Sequence, residues 1–334
     1  MTVRKFVAGA LLSVGLAATG FAQEATDELK FSSFLPASTV NNAVSVPEFI
    51  ARAEELSGGA LAIRLYAGGS LVSGGEVQLK MVQDGIADIA EIPIPYTPGR
   101  IKGLDVFELP NLAQTNSDGS LATIRMLDEG VVQGMDDLVV LGVLQAGPYF
   151  IHTKDEIAGL RDLRGKKLRV SGQMQAQIVA RLGAVPVSNI PATGLAENIS
   201  RGLIDGALVD TGNLYNFGVG DLVHYHVTNL PLGSFSVLWA MSRDRYDSLS
   251  DESKKAIDEL RGEWFTTVLG QNMDKQTADV TARLEEAGDH HFVEFSAEDI
   301  EQANGVLQQV VDGWIAADPA NADIHEAAKA ALGQ

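Results

Sequence analysis

Cysteine is absent from the 334-residue chain, which excludes disulfide staples, thiolate nucleophiles and thiolate metal ligands. Roughly 310 residues behind a leader bury a core large enough to need no staples, so the absence is compatible with export. Basic side chains are scarce: 25 Lys and Arg stand against 44 Asp and Glu, a net charge of −19. Nucleic-acid binding needs a concentrated basic surface to replace counterions, and this balance speaks against it. Past the first two dozen residues, no apolar run approaches the ~20 residues of a membrane span. Gly68-Gly69 and Gly74-Gly75 lack the Lys and Ser/Thr of a phosphate-binding loop, and no Gly-x-Ser-x-Gly elbow occurs. No catalytic constellation emerges, and the chain is not expected to be an enzyme.

The N-terminus speaks to compartment. Arg4 and Lys5 precede an apolar run from Phe6 to about Ala18, and Gly20-Phe21-Ala22 supplies the small residues a signal peptidase reads. Residues 1–22 are expected to be a secretory signal, with Gln23 as the mature start; the alternative is an uncleaved anchor. Cleavage removes two of the 25 basic residues and no acid, leaving 23 against 44 and a charge of −21. A protein so negative must create positive potential locally to hold an anion, which directs attention to its few buried arginines.

Length suggests two domains, and short apolar or alternating runs interleave with helical segments, the pattern of an α/β fold. Leu61, Ile63 and Leu65 alternate as in a half-buried strand. Before them, Phe49, Ile50, Ala53 and Leu56 share a helical face, with Pro47 near the start and Gly58 at the end. Val82 to Ala90 resembles Ile199 to Ala207: each reads as a helix end, a glycine suited to the left-handed position, and an aspartate before a strand of small apolar residues. Those aspartates, Asp88 and Asp205, fit turn chemistry and are not counted as ligands. Near the C-terminus, Ile257, Leu260, Trp264 and Val268 share a face behind a Ser250 cap. Ile300, Ala303, Leu307, Val310 and Trp314 form a second stripe opened by Ser296. Both tryptophans read as core residues.

The most specific string is Asp162-Leu163-Arg164-Gly165-Lys166-Lys167-Leu168-Arg169-Val170, followed by Leu182 to Val187 and then Arg201 to Ala207. With Phe31 to Ser38, Leu65 to Leu71, Asp84 to Ile89, Phe107 to Pro110 and Tyr246 to Ser250, in that order, it resembles the solute-binding proteins of tripartite ATP-independent periplasmic (TRAP) transporters. The resemblance implies an α/β fold of periplasmic-binding-protein type, two lobes joined by crossing strands around a ligand cleft. Lobe I would comprise 23–147 with a return segment at about 235–265, lobe II 148–234, and C-terminal helices 266–334 would pack across both. The crossings would fall near Gln145 to Tyr149 and near Leu230 to Trp239.

It also implies that Arg169 holds the ligand carboxylate, a role suited to a guanidinium fork. Members that bind sialic acid carry a second arginine where this chain has Tyr149. They have an asparagine where it reads Ala207-Leu208-Val209-Asp210, and an aromatic residue at Pro191. A heavily polar sugar acid is therefore disfavoured. Expected wall residues are Tyr149, Tyr96, Gln145, Asp210, Thr211, Asn213 and Phe235, with Trp239 and Ser242 further along the return crossing. No cofactor is implied. His224 and His226 would share a strand face but lack an obvious third ligand, and His290-His291 read as a solvated turn, so no metal is expected.

The implied function is capture of a small organic carboxylate by hinge closure and its delivery to TRAP membrane subunits. The protein would be periplasmic, docking at the membrane without spanning it. A monocarboxylate is favoured. A dicarboxylate stays open if Arg100, Arg243 or Arg245 enters the cleft, as does supply of a membrane sensor.

Overall fold

The structure, a computed structural model, describes residues 27–334; the expected signal segment lies outside them. From the N-terminus run β1 (Asp27–Ser32), α1 (Val46–Leu56), β2 (Leu61–Tyr66), α2 (Gln78–Gln83), β3 (Ile89–Pro93), α3 (Asn116–Asp128) and β4 (Leu138–Ala146). Then follow β5 (Tyr149–Thr153), β6 (Lys167–Arg169), α4 (Gln173–Arg181), β7 (Val185–Val187), α5 (Leu195–Ser200), β8 (Gly206–Asp210) and β9 (Tyr225–Val227). The remainder is β10 (Phe235–Ser242), α6 (Arg243–Asp247), α7 (Asp251–Leu260), α8 (Glu263–Ala287), β11 (His291–Val293), α9 (Ala297–Ala317) and α10 (Asn321–Ala331).

The strands form two sheets, one per lobe. The first has the order β2-β1-β3-β10-β4 and the second β11-β9-β5-β8-β6-β7. The chain leaves the first sheet after Ala146 and returns to it at Phe235, inserting β10 antiparallel between β3 and β4. The crossings are stitched together where Tyr149 donates its N–H to the Gly233 carbonyl at 2.7 Å, and Leu232 donates to that of Tyr149 at 2.9 Å. Gly233 has φ +86°, and a Cβ there would lie 2.1 Å from the Glu108 carbonyl oxygen. Only glycine fits without strain.

The repeated helix–glycine–strand joint has one physical cause in both lobes. Gly85 and Gly202 take φ of +70° and +68° after α2 and α5. Asp88 then donates its backbone N–H to the Lys30 carbonyl of β1 at 3.0 Å and accepts the Lys30 N–H on its carboxylate at 2.7 Å. Asp205 accepts the Lys167 N–H of β6 in the same way at 2.7 Å. Both aspartates are joint residues.

The core sits on both faces of the sheets, with Phe31, Phe49, Phe107, Trp239 and Phe265 among its largest fully buried side chains. The helical stripe from Ile257 to Val268 is broken: α7 ends at Leu260, and Gly262 (φ 79°, ψ −121°) redirects the chain into α8. Trp264 is half-buried under the Arg52 guanidinium, whereas Trp314 is core, its indole N–H bonded to Asp105 at 2.8 Å. Helix α8 packs against α3 and β4 of the first lobe and against Thr211–Asn213 of the second. The C-terminal segment also adds β11 to the second sheet, pairing parallel with β9. No helix of the described residues is long and apolar enough to cross a membrane.

Candidate functional site

Arg169 ends β6, held between β7 and β8 by parallel pairing. Leu168 turns into the core, so the pleat sends Arg169 the other way, toward the cleft. The side chain is 1% exposed. Its Nε donates to the Ile190 carbonyl at 2.9 Å, Nη1 to the Ser171 hydroxyl at 2.6 Å and Nη2 to the Tyr96 phenol oxygen at 3.3 Å. None of these partners is an acid. A guanidinium carries five N–H donors, so one on each terminal nitrogen remains for a bidentate acceptor. Tyr96 comes from lobe I and Arg169 from lobe II, so their bond spans the cleft.

Four aromatic rings surround this fork. Tyr149 and Phe235 lie parallel with centroids 6.3 Å apart, Tyr96 meets Phe235 edge-on at 5.4 Å, and Phe34 tilts against Tyr96 at 6.3 Å. Tyr149 pairs with Asp210 across β5 and β8. Burial, reinforced by the Asp210 carboxylate, pushes the Tyr149 phenol well above its usual range. It therefore stays protonated and able to donate. The cavity offers about 40 Å³ to the centre of a water molecule, and Asn213, Phe217 and Ser171 complete its lobe II wall.

Its lobe I wall holds Glu91 and Asn41, which sequence reasoning missed. Glu91 lies in β3, fully buried, and accepts a bond from the Ser33 hydroxyl. Burial raises its carboxyl to about 7, the Ser33 bond acting in the opposite direction. Glu91 Oε1 and Asn41 Oδ1 are buried and have no hydrogen-bond partner. One acid inside the apolar run Ile89-Ala90-Glu91-Ile92 was the available signal for Glu91. Asn41 offered none.

Of the expected wall residues, Arg169, Tyr149, Tyr96, Asn213 and Phe235 line this cavity and Gln145, Asp210 and Thr211 do not. Gln145 is on the wrong face of β4: Leu144 and Ala146 face the cavity, and its own amide bonds Thr123, Ser234 and Ser236. The Asp210 carboxylate is spent on the backbone N–H and side-chain amide of Asn213, both at 3.0 Å. Burial raises its carboxyl to about 6. Trp239 and Ser242 are also outside the lining.

Among the described residues, Arg169 is the one cation lining the cavity. Arg243 is bonded to the Asp136 and Leu138 carbonyls, Arg245 to Asp88, and Arg100 is exposed. A larger cavity of about 340 Å³ lies beyond the Tyr96 loop, walled by Ile94, Pro95 and Thr97 on one side and Trp314 on the other. Its lysine, Lys102, is paired with Asp318 at 3.6 Å, and it holds no inward-facing fork.

Two α/β lobes with a guanidinium buried in the cleft between them, unpaired with any acid, have the build of a solute-binding protein. The model of the bacterial extracellular solute-binding proteins of family 7, the DctP family, matches residues 31–318, and the chain belongs to that family. It is a family of transport proteins, not of enzymes. A curated solute-binding protein from Albidiferax ferrireducens is 24% identical over 287 residues, 80% of each chain. Among solved structures, a marine metagenome TRAP solute-binding protein specific for aromatic acid ligands superposes with a TM-score of 0.86. It was solved with meta-hydroxyphenylacetate, is 28% identical, and the match covers 92% of this chain and 98% of that one. A TRAP solute-binding protein from Rhodoferax ferrireducens, solved with copurified benzoate, shares the fold at TM-score 0.85 and 23% identity, with the same coverage. TRAP solute-binding proteins take small organic acids and deliver them to a membrane transporter.

Proposed function

We propose that this chain captures a small aromatic or similarly compact cyclic monocarboxylate in the periplasm and delivers it to TRAP membrane subunits. The single observation carrying this reading is the lone fork of Arg169 inside a cage of Phe34, Tyr96, Tyr149 and Phe235. The carboxylate takes the two remaining N–H groups of Arg169 and the Tyr149 hydroxyl, while the ring packs between Tyr149, Phe235 and Tyr96. A second carboxylate would face Glu91 instead of a cation, an expensive pairing in a closed cleft.

The aromatic acids held by the metagenome relatives at 27–28% identity agree in chemical class. Closure follows from contacts that one lobe cannot supply alone: ligand bound to Arg169 also engages Tyr96, and so stabilises the closed state.

A thermal-shift screen of small organic acids on the mature chain tests the proposal. Benzoate and its hydroxylated or homologous relatives are expected to stabilise, by about 2.7 kcal/mol at 100 times Kd. The ligand is expected to return unchanged after prolonged incubation. Stabilisation by dicarboxylates or sugar acids alone would overturn the ligand class.

A further inference from the structure

The structure brings His290 against His224 and His226, from which it is more than sixty residues distant in sequence. Parallel pairing of β11 with β9 sets His291 opposite Tyr225 and Phe292 opposite His226, and the His291 N–H donates to the His224 carbonyl at 2.7 Å. The turn before β11 thereby lays Asp289 and His290 against His224. His224 Nδ1 lies 3.7 Å from Asp289 Oδ2, and His290 Nε2 lies 3.6 Å from Asp289 Oδ1. The three donor atoms all fall within 4.8 Å of one another.

These separations are too long for hydrogen bonds, whose N···O distances cluster at about 2.7–3.2 Å. They suit atoms that share a cation. Ligands 2.0–2.2 Å from a tetrahedral zinc stand about 3.4 Å apart, a few tenths less than the two imidazole–carboxylate separations, and the three donors, all within 4.8 Å, must draw together to hold the ion.

The tautomers are set from behind. His152 Nε2 lies 3.2 Å from the Val209 carbonyl, which can only accept, so that nitrogen carries the proton and His152 Nδ1 the lone pair. His226 Nδ1, 2.8 Å from His152 Nδ1, must then donate, leaving His226 Nε2 as acceptor. His290 Nδ1, 3.0 Å from that acceptor, donates in turn. The chain leaves the lone pair on His290 Nε2, the nitrogen 3.6 Å from Asp289 Oδ1. A metal-bound histidine is oriented in the same way, by donating its second N–H to a fixed partner. Independently, His224 Nδ1 is buried with no hydrogen-bond partner.

We propose that His224 Nδ1, His290 Nε2 and the Asp289 carboxylate form a divalent-metal site. Two imidazoles and a carboxylate with one position left for water suit zinc among the common first-row cations. The site is separate from the ligand cavity, since none of its residues lines that cavity. Asp289 and His290 follow Gly288 at the end of α8, so the ion fastens the strap between α8 and β11 onto the segment entering β9.

The test titrates Zn²⁺ alone into untagged, chelator-stripped mature protein by calorimetry, with a parallel thermal-shift series. One Zn²⁺ per chain is expected, with a rise in melting temperature. Asp289→Asn and His224→Gln should each weaken binding by about tenfold or more. Both alter partly or largely exposed side chains, at 67% and 32%, and circular dichroism confirms the fold. His291→Gln and His325→Gln should leave binding unchanged. Failure to bind at about 100 µM Zn²⁺ overturns the site. So does binding that survives both ligand variants or is lost equally in His291→Gln.

Discussion

Replacing Arg169 by Met separates its two duties. Arg169 is 1% exposed and its three bonds go to neutral acceptors, so its charge is buried without an acidic partner. Each bond from a charged donor is worth about 1.5–3 kcal/mol. Against them stands a desolvation penalty of several kcal/mol for the buried cation, which methionine removes while filling similar space. The two nearly cancel, and the ligand-free variant should melt within a few degrees of wild type. Binding behaves differently. A desolvated ligand carboxylate deprived of its partner costs on the order of 2–5 kcal/mol, a Kd raised about 30- to 5000-fold. Arg169→Lys should recover only part of this, because a point charge cannot replace the two-pronged contact. Calorimetry on both variants, with denaturant melts without ligand, gives the answer. Arg169→Met binding within threefold of wild type refutes the carboxylate assignment; a ligand-free fold lost by more than about 4 kcal/mol makes Arg169 a structural residue.

Tyr149→Phe removes one donor to the carboxylate and should weaken binding by about 1.5–3 kcal/mol, read by calorimetry. Glu91 loses its proton near 4.5 when unfolded but near 7 when folded. Stability should therefore fall as pH rises from about 4.5 to 7, by on the order of 3 kcal/mol at most, and Glu91→Gln should out-melt wild type at pH 8 but not at pH 4. In the same variant, ligand affinity should no longer decline above pH 7, since ionised Glu91 repels the bound anion in wild type; equal pH profiles for the two proteins would contradict this. Gly233→Ala should cost several kcal/mol in a denaturant melt, because left-handed strain adds to a clash with the Glu108 backbone.

Local chemistry made much of the architecture readable. The glycine–aspartate joints at Gly85-Asp88 and Gly202-Asp205 marked a helix-to-strand passage in each lobe, and both aspartates fasten a neighbouring strand. Arg169 was legible because its place at a strand end coincides with a specific motif. Parity was harder to read: Gln145 sits one residue from two cavity-lining positions, yet the pleat turns it away. Asp210 was ambiguous for another reason, since an aspartate past a strand can bind a ligand or cap the next turn, and here it bonds Asn213. The continuous apolar stripe from Ile257 to Val268 concealed the break at Gly262, because a glycine inside a helical pattern is often tolerated. The partnership of His224 with His290 depends on a strand pairing across more than sixty residues, beyond the reach of any local pattern.

The most direct test of the central claim is competitive calorimetry at neutral pH with matched acids, benzoate and phenylacetate against phthalate, terephthalate and succinate. A single Arg169 fork facing aromatic rings and Glu91 calls for the monocarboxylates to bind at least tenfold more tightly, a difference of about 1.4 kcal/mol. Dicarboxylates ahead by that margin would mean that a second basic residue enters the cleft on closure, and the one-clamp account would be wrong.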